Sequence, residues 1–521
     1  MIFDLAELGT QGRALSCDVL VIGGGTAGLI VATRLAKAGK NVVVLESGGP
    51  QESAATEELN EVVHSGMTYP GAAAGRVRCL GGTSTKWGGA MLPFEAADLA
   101  IPQELGWDAQ WPISLRSLTK FQDDVESLFN LPRSSYAGPD FSGGREGVPD
   151  FVTKLAKWPP FKMRNVATLL RAQVDAANGP AIWLNATVTR FTLGEDKRLR
   201  DVVACGPGGA ELTVAAPEIV LAAGALESTR LLLLLDRQHD GRLFGADDVL
   251  GRYFSDHLAL YFAEIRPRDL QAFNRIVGFG FEDGGMRNLR FEASPAARRR
   301  HRLPGAYAQI TFDTQAPSGF DALKSIYRSL QRRQRPALAD LASLGLNAPW
   351  FSRAAWWRFV EKRVLFPPDP VFRAQLVFEQ EPLPAHRITL SATRRDRFGL
   401  PLAELHWSVS RRDIDNAQAL ADLFGDYWRT SRASELGDIR PFSPETIRAS
   451  TMDAEAFYHP GGSARLGSSA AKGVVDPQFR VYRAPNLSLV STAAFPSGGS
   501  ANPTMMLMMA GLSVAERLAA A

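Results

Sequence analysis

The sequence predicts an α/β fold, organised as α+β in two domains. Three observations carry that prediction. A short β-branched run, Val19-Leu20-Val21-Ile22, passes into Gly23-Gly24-Gly25-Thr26-Ala27-Gly28 and then into a helical pattern. The same order of strand, glycine and helix recurs at 218–235 and at 487–518. Between 260 and 440 the texture changes to alternating stretches such as Tyr307-Ala308-Gln309-Ile310-Thr311-Phe312 and Gln375-Leu376-Val377-Phe378-Glu379-Gln380, which read as strands of a mixed sheet. The expected architecture is a Rossmann-like domain of discontinuous segments, 1–100, 181–260 and 451–521. A second domain, 101–180 and 261–450, with a mixed or antiparallel sheet and helices, is inserted between them.

The elements follow in order. After the first strand, 17–22, a helix runs through Ala27, Leu29, Val31, Ala32, Leu35 and Ala36 and stops at Gly39; residues 42–45 are the next strand. That is a complete βαβ unit. Residues 50–150 read as loop-rich, with clusters at Pro70-Gly71 and Gly81-Gly82. Residues 181–184, 188–191 and 218–221 read as strands, the last entering Ala222-Ala223-Gly224-Ala225 and a helix with the leucine run 231–235.

Composition bounds the function. A chain of 521 residues, 45% apolar and 22% charged, has the make-up of a globular protein large enough for more than one domain. A net charge of +3 gives no argument for nucleic acid. Cys17, Cys79 and Cys205 lack paired spacing, which predicts no disulfide framework, no metal site and a reducing, cytoplasmic setting. The first residues lack the basic, apolar and small-residue order of a leader, and the run 19–31 is too short and glycine-broken to span a bilayer.

Gly23-x-Gly25-x-x-Gly28 allows a tight turn, backbone approach to a pyrophosphate and close helix packing, with the helix N-terminus facing the phosphates. Glu46, at the end of the following strand, suits two ribose hydroxyls and repels a 2′-phosphate. The motif does not choose between FAD and NAD. A second glycine-dense stretch, Gly81-Gly82-Thr83-Ser84-Thr85-Lys86-Trp87-Gly88-Gly89, offers amides to an anion or ring edge and an indole for stacking; an ordinary surface loop is the alternative. Near the end, His459 lies in His459-Pro460-Gly461-Gly462-Ser463, a loop with room for another molecule, and Asn502 lies between Ala501 and Pro503. A histidine takes a proton near neutral pH, and an amide both donates and accepts. Oxidising an alcohol needs a base for the hydroxyl and donors for the developing alkoxide.

Together these motifs resemble the glucose–methanol–choline (GMC) flavin oxidoreductases. The resemblance includes Leu80-Gly81-Gly82-Thr83-Ser84, Ala223-Gly224-Ala225-Leu226-Glu227-Ser228, Gly251-Arg252-Tyr253-Phe254-Ser255-Asp256-His257 and the tail from His459 to Asn502. The tail is most similar to those of pyranose 2-oxidases and bacterial sugar dehydrogenases. The resemblance implies FAD bound by Gly23, Gly25, Thr26, Ala27, Gly28, Glu46, Ser47, Gly81, Gly82, Thr83, Ser84, Trp87, Gly88, Val188, Ala223, Gly224, Asn502 and Thr504. It makes His459 the base and Asn502 its partner on a substrate hydroxyl, a secondary one on a sugar or glycoside becoming a ketone. Relatives with covalent flavin carry histidine where this chain has Lys86, so FAD is expected to be non-covalent. Trp87, Gly88 and Thr492 depart from the family pattern and leave dioxygen and an organic acceptor both open, with a dehydrogenase or slow oxidase expected. A flavin-dependent lyase, a non-sugar alcohol as substrate and a flavin-binding protein without activity are the alternatives. Gln375, Phe378, Gln380, Phe457 and Tyr458 are the substrate-pocket candidates.

In the inserted domain, Arg298-Arg299-Arg300-His301-Arg302 reads as a solvated loop. The stretches 323–333 and 350–360 are basic and aromatic at helical spacing. Core or lid packing is the first expectation for them, a subunit contact the second and a membrane surface the third.

Overall fold

The computed structural model describes residues 1–143, 149–245, 249–314, 319–331, 335–453 and 455–521. The predicted α/β class holds. Seven strands form one sheet in the order Ile2–Asp4, Ala181–Leu184, Val42–Leu45, Val19–Ile22, Glu218–Leu221, Ala484–Leu489 and Arg480–Val481, parallel apart from the last pairing. Val19–Ile22 and Val42–Leu45 are buried at every position, as expected of strands covered on both faces. Helix Thr26–Lys37 packs against the last helix, Thr504–Ala520; Gly511 of that helix sits against Val31 and Val490. Three distant stretches of chain thus build one domain. A four-stranded sheet, Arg13–Ser16, Glu211–Ala215, Leu199–Cys205 and Thr187–Leu193, lies beside it in the chain order of the same segments.

The second body is an eight-stranded sheet, antiparallel throughout. Its main path runs Gly280–Glu282, Gly285–Ala293, Ala306–Thr314, Pro370–Glu379, His257–Pro267 and Gly437–Pro441; Phe151–Trp158 and Glu455–Ala456 pair at its sides. Helix Arg411–Thr430 lies on it through a cluster in which Phe424 meets Phe151, Phe262 and Phe291 edge to face. Each such buried ring contributes about 1.5–3 kcal/mol of transfer free energy. The expected boundaries at 260 and 451 fall differently here: His257–Pro267 enters this sheet whole, and Glu455–Ala456 pairs with it. Val62–His64, expected in the nucleotide domain, joins Pro401–His406 and Arg387–Arg395 in a small third layer.

The basic run 298–302 is not a solvated loop: its first four residues end a helix, Pro295–His301, capped by Ser294, and Arg302 closes it at φ +53°. Arg298 is buried against Asp98, and Arg299 and Arg300 pair with Glu104 and Asp150. No helix among the described residues is long and apolar enough to cross a membrane.

Candidate active site

The nucleotide turn is built as its glycines imply. Gly23 has φ +106°, and a Cβ there would lie 2.5 Å from the Ala222 carbonyl oxygen, so the first strand–glycine junction closes on the second. A Cβ on Gly28 would lie 1.9 Å from the Gly23 carbonyl oxygen, which is why the helix approaches the strand so closely. Helix Thr26–Lys37 begins at Gly25 with no side-chain cap, leaving its first amides free for an anion. Gly81 donates its N–H to the Gly24 carbonyl at 2.8 Å, and the Gly82 Cα faces Gly25. The two glycine-rich segments, separate in sequence, therefore form one cradle.

Glu46 is buried at the end of its strand. Its two carboxylate oxygens accept N–H bonds from Gly24 and Gly48 at 2.7 and 2.8 Å. Each oxygen keeps lone-pair capacity for a ribose hydroxyl. Burial raises its carboxyl pKa, against those two amides and Arg78. Ser47 accepts from Arg78 at 2.9 Å. Arg78 in turn bonds Glu227, which pairs with Arg230, itself bound to Asp396. Burial opposes ionisation of Glu227, but Arg78, Arg230 and Arg76 hold it down to about 2. This buried ionic chain, not seen in the sequence, anchors residues 76–80 just before the cradle.

Other expected cofactor residues divide. Ala223 donates to the Ser228 hydroxyl, and the next helix starts at Gly224 with no side-chain cap and open space where a Cβ would stand. Thr504 opens the last helix, also uncapped. Val188 is buried beside Thr187, whose hydroxyl has no hydrogen-bond partner. Thr83 is exposed, whereas Ser84 is buried and spends its hydroxyl on the Gly81 carbonyl and the Val166 N–H. Trp87 donates to the Arg164 carbonyl and meets Phe129 edge to face; Gly88 abuts Trp158. Lys86 pairs with Glu52 near the surface. The uncapped helix starts, the glycine cradle and the orphaned Thr187 hydroxyl fit a dinucleotide.

The C-terminal pair meets. Asn502 Nδ2 and His459 Nε2 are 3.0 Å apart. His459 Nδ1 lies 3.3 Å from His257 Nδ1, and His257 Nε2 lies 2.7 Å from the Gly499 carbonyl oxygen. Asn502 Oδ1 accepts from Arg290 Nη1 at 2.6 Å. Both ends of this chain have fixed polarity, and that assigns the protons. A carbonyl only accepts, so His257 carries its proton on Nε2 and offers a lone pair at Nδ1. His459 therefore donates from Nδ1 and keeps its lone pair on Nε2. Arg290 only donates, so Asn502 turns its oxygen to Arg290 and its N–H to His459. Burial lowers the His459 pKa well below 6.5, with His257 and Arg290 adding to the effect; His257 is brought to about 4 by burial. His459 is thus a neutral imidazole with its Nε2 lone pair facing Asn502.

Asp256 holds the backbone of this loop. Its Oδ1 accepts the N–H groups of His257 and His459 at 2.6 and 2.7 Å, and its Oδ2 accepts the Tyr69 hydroxyl at 2.5 Å. Burial pushes its carboxyl up to about 7 in spite of these donors. Asp256, His257 and His459 lie close enough to suggest a metal set. Backbone amides and Tyr69 occupy the carboxylate, however, and the ring nitrogens are bonded as above. The glycines after His459 serve the protein itself: Gly462 has φ +82°, and a Cβ there would lie 2.2 Å from the Tyr253 carbonyl oxygen. Thr492 donates to the Pro460 carbonyl at 2.6 Å and accepts from the Gly462 N–H.

The substrate candidates fare unevenly. Phe378 is fully buried in the apolar core, and Gln380 is consumed by Ser408, Asp413 and Trp407; neither is available to a ligand. Gln375 lies on the opposite face to Phe378 and accepts from Gln309 at 2.8 Å. Phe457 touches the rings of His459 and Tyr307, and Tyr458 is exposed with φ +62°. Sequence reasoning missed His257, Arg290 and Tyr307, over whose ring the Arg290 guanidinium sits at 4.2 Å. The motif 251–257 held the only available signal, for His257.

Known proteins resemble this chain along most of its length. Residues 382–511 match the family described as GMC oxidoreductase, and residues 18–136 match FAD dependent oxidoreductase. The 6'''-hydroxyparomomycin C oxidase of Streptomyces lividus is 23% identical, over 99% of this chain and 93% of its own. Patulin synthase of Penicillium expansum is 22% identical, over 96% and 91%. Formate oxidase of Aspergillus oryzae, solved as an arginine-to-alanine variant, shares the fold with TM-score 0.57 at 15% identity, over 97% of this chain and 98% of its own. The chain thus carries a GMC oxidoreductase domain towards its C-terminus and an FAD dependent oxidoreductase domain towards its N-terminus, has GMC-type relatives that span its length, and is an FAD-dependent oxidoreductase.

Proposed function

We propose that this enzyme oxidises a secondary hydroxyl of a sugar or glycoside to a ketone, with His459 as the base. The single observation that carries the reading is the directional hydrogen-bond chain from Gly499 through His257, His459 and Asn502 to Arg290. It leaves one imidazole lone pair, on Nε2, beside one amide N–H, which are the two functions an alcohol needs as it loses its proton. A substrate hydroxyl entering between them donates its proton to His459 Nε2 and accepts from Asn502 Nδ2. Bound FAD would supply the acceptor for the substrate's hydride, with dioxygen or an organic acceptor as the final oxidant. The Gly23–Gly28 turn, Gly81, Gly82 and the helix start after Gly224 would hold its phosphates, and Glu46 its ribose. Lys86, engaged with Glu52, supports FAD held without a covalent link. Arg290 and Phe457 touch the pair, Tyr307 meets both of them, and Gln309 and Gln375, bonded to each other, share the sheet face of Tyr307, so these five are the better substrate candidates. The name of the relative from Streptomyces lividus, an oxidase of an aminoglycoside, supports a glycoside as substrate. Bleaching of the flavin band under anaerobic mixing with monosaccharides and glycosides tests the class, and NMR of the product distinguishes ketone from aldehyde. His459→Ala should bind FAD yet lose reduction by at least about 10²-fold. Wild-type bleaching in that variant refutes the base; product without bleaching or acceptor points to a lyase.

A further inference from the structure

The stretches 323–333 and 350–360 were expected first as core or lid packing, and Trp350 and Trp357 do pack inward, but the segment 319–363 that holds them also has an exposed outer face. It holds nine Lys and Arg against three Asp and Glu, a net +6 in a chain of net +3; the rest of the protein is net acidic. The polypeptide leaves the eight-stranded sheet at the Thr314 end of one strand and returns at Pro370. In between lie helices Gly319–Gln331, Leu338–Leu346 and Ala348–Trp356, the last continuing into a π turn, Trp357–Glu361. Residues 332–334 of the basic stretch lie outside the described residues.

Two adjacent tryptophans show how the face is made. Trp357 is buried beneath the Arg275 guanidinium, and the Arg275–Glu361 ion pair ties the turn to helix Leu270–Val277. Anchored in this way, the turn and the last residue of the helix before it present large side chains outward: Trp356 is 60% exposed, Phe359 68% and Val360 53%. Leu270 and Ile276 of the neighbouring helix are exposed too, as are Tyr327 and Leu330. Interleaved with them are exposed Lys324, Arg328, Arg353 and Lys362, which have no carboxylate partner among the described residues.

From this we infer that the 319–363 insertion is a membrane-surface anchor, which lays Trp356, Phe359 and Val360 into the interface of an anionic bilayer while its lysines and arginines meet the headgroups. Aromatic and aliphatic side chains beside unpaired basic ones are the combination that binds such an interface. The arginine and lysine stems reach past the buried rings to the charged layer. The charge also speaks against a second copy of this chain as occupant. A two-fold contact would set the patch against itself, cation facing cation. Since no helix among the described residues spans a bilayer, the contact lies on the surface and reverses with salt. Such a membrane contact is independent of the substrate and of the role of His459.

The test uses the full-length, FAD-bound protein and sedimentation with vesicles of phosphatidylcholine alone or mixed with phosphatidylglycerol, with light scattering after gel filtration alongside. Binding to the anionic vesicles should exceed that to neutral ones by about tenfold and fall steeply as salt is raised. The double variant Trp356→Ser and Phe359→Ser should lose about tenfold in binding with flavin content and melting temperature unchanged, since both side chains are exposed. Equal binding to neutral vesicles, or none to either, overturns the inference. A dimer that the double variant dissociates, with no vesicle binding, assigns the face to a second copy instead.

Discussion

Replacing His257 by leucine tests how the base is oriented. His257 is buried at 1% exposure, and its Nδ1 is the acceptor for His459 Nδ1–H. Leucine keeps the volume and removes the acceptor. The tautomer with a lone pair on Nε2 then leaves a buried N–H without a partner, at a cost of about 1–3 kcal/mol. The other tautomer avoids that cost but directs an N–H at the Asn502 amide and has no lone pair for a substrate hydroxyl. A separation of 3.3 Å is long for this bond, so the lower end of the range applies, about 1–1.5 kcal/mol, or about a tenfold loss of competent enzyme. The assay is stopped-flow reduction of the flavin band under anaerobic, saturating donor. The rate constant should fall about tenfold with FAD content unchanged. His257→Asn, which can present Oδ1 in place of the ring nitrogen, should recover most of it. A leucine variant that reduces its flavin at full speed, or an asparagine variant no better than leucine, refutes the orienting role.

Other predictions follow from the same geometry. Because the His459 pKa is lowered from 6.5, the base stays unprotonated as pH falls through that value; the reduction rate should remain flat there and decline only well below, and an acid limb at or above 6.5 contradicts the assignment. Arg290→Met releases the Asn502 oxygen, allows the amide to turn lone pair against lone pair at His459, and should slow reduction about tenfold, with Arg290→Lys intermediate; equal rates in all three would show that the amide is held otherwise. Gly28→Ala places a methyl 1.9 Å from the Gly23 carbonyl oxygen, which no rotation relieves; thermal unfolding should show a loss of at least about 3 kcal/mol together with loss of flavin, and a well-folded, yellow variant would be unexpected. Acid precipitation should release all the flavin into the supernatant, and flavin remaining with the pellet would disprove a non-covalent cofactor.

The residues that spoke clearly from the sequence did so through local pattern. Val19 to Gly28, Glu218 to Gly224 and Leu487 onward each carry strand, turn and helix in contiguous residues, and the backbone demands at Gly23 and Gly28 exclude any side chain, so the nucleotide fold and the uncapped helix starts were legible. His459 and Asn502 were legible as types, through the loops around them. What tertiary structure alone decided is everything that depends on register between distant strands. Arg290 reaches Asn502 from 212 positions away, and His257 reaches His459 from 202. In strand Pro370–Glu379 the sheet is covered on both sides, so alternation does not mark which face is inward: Gln375 and Phe378 read alike in sequence and lie on opposite sides. Trp356 and Trp357 are the sharpest case. They are identical and adjacent, and one is an anchor and the other exposed because Arg275, brought in by a separate helix, covers only one of them.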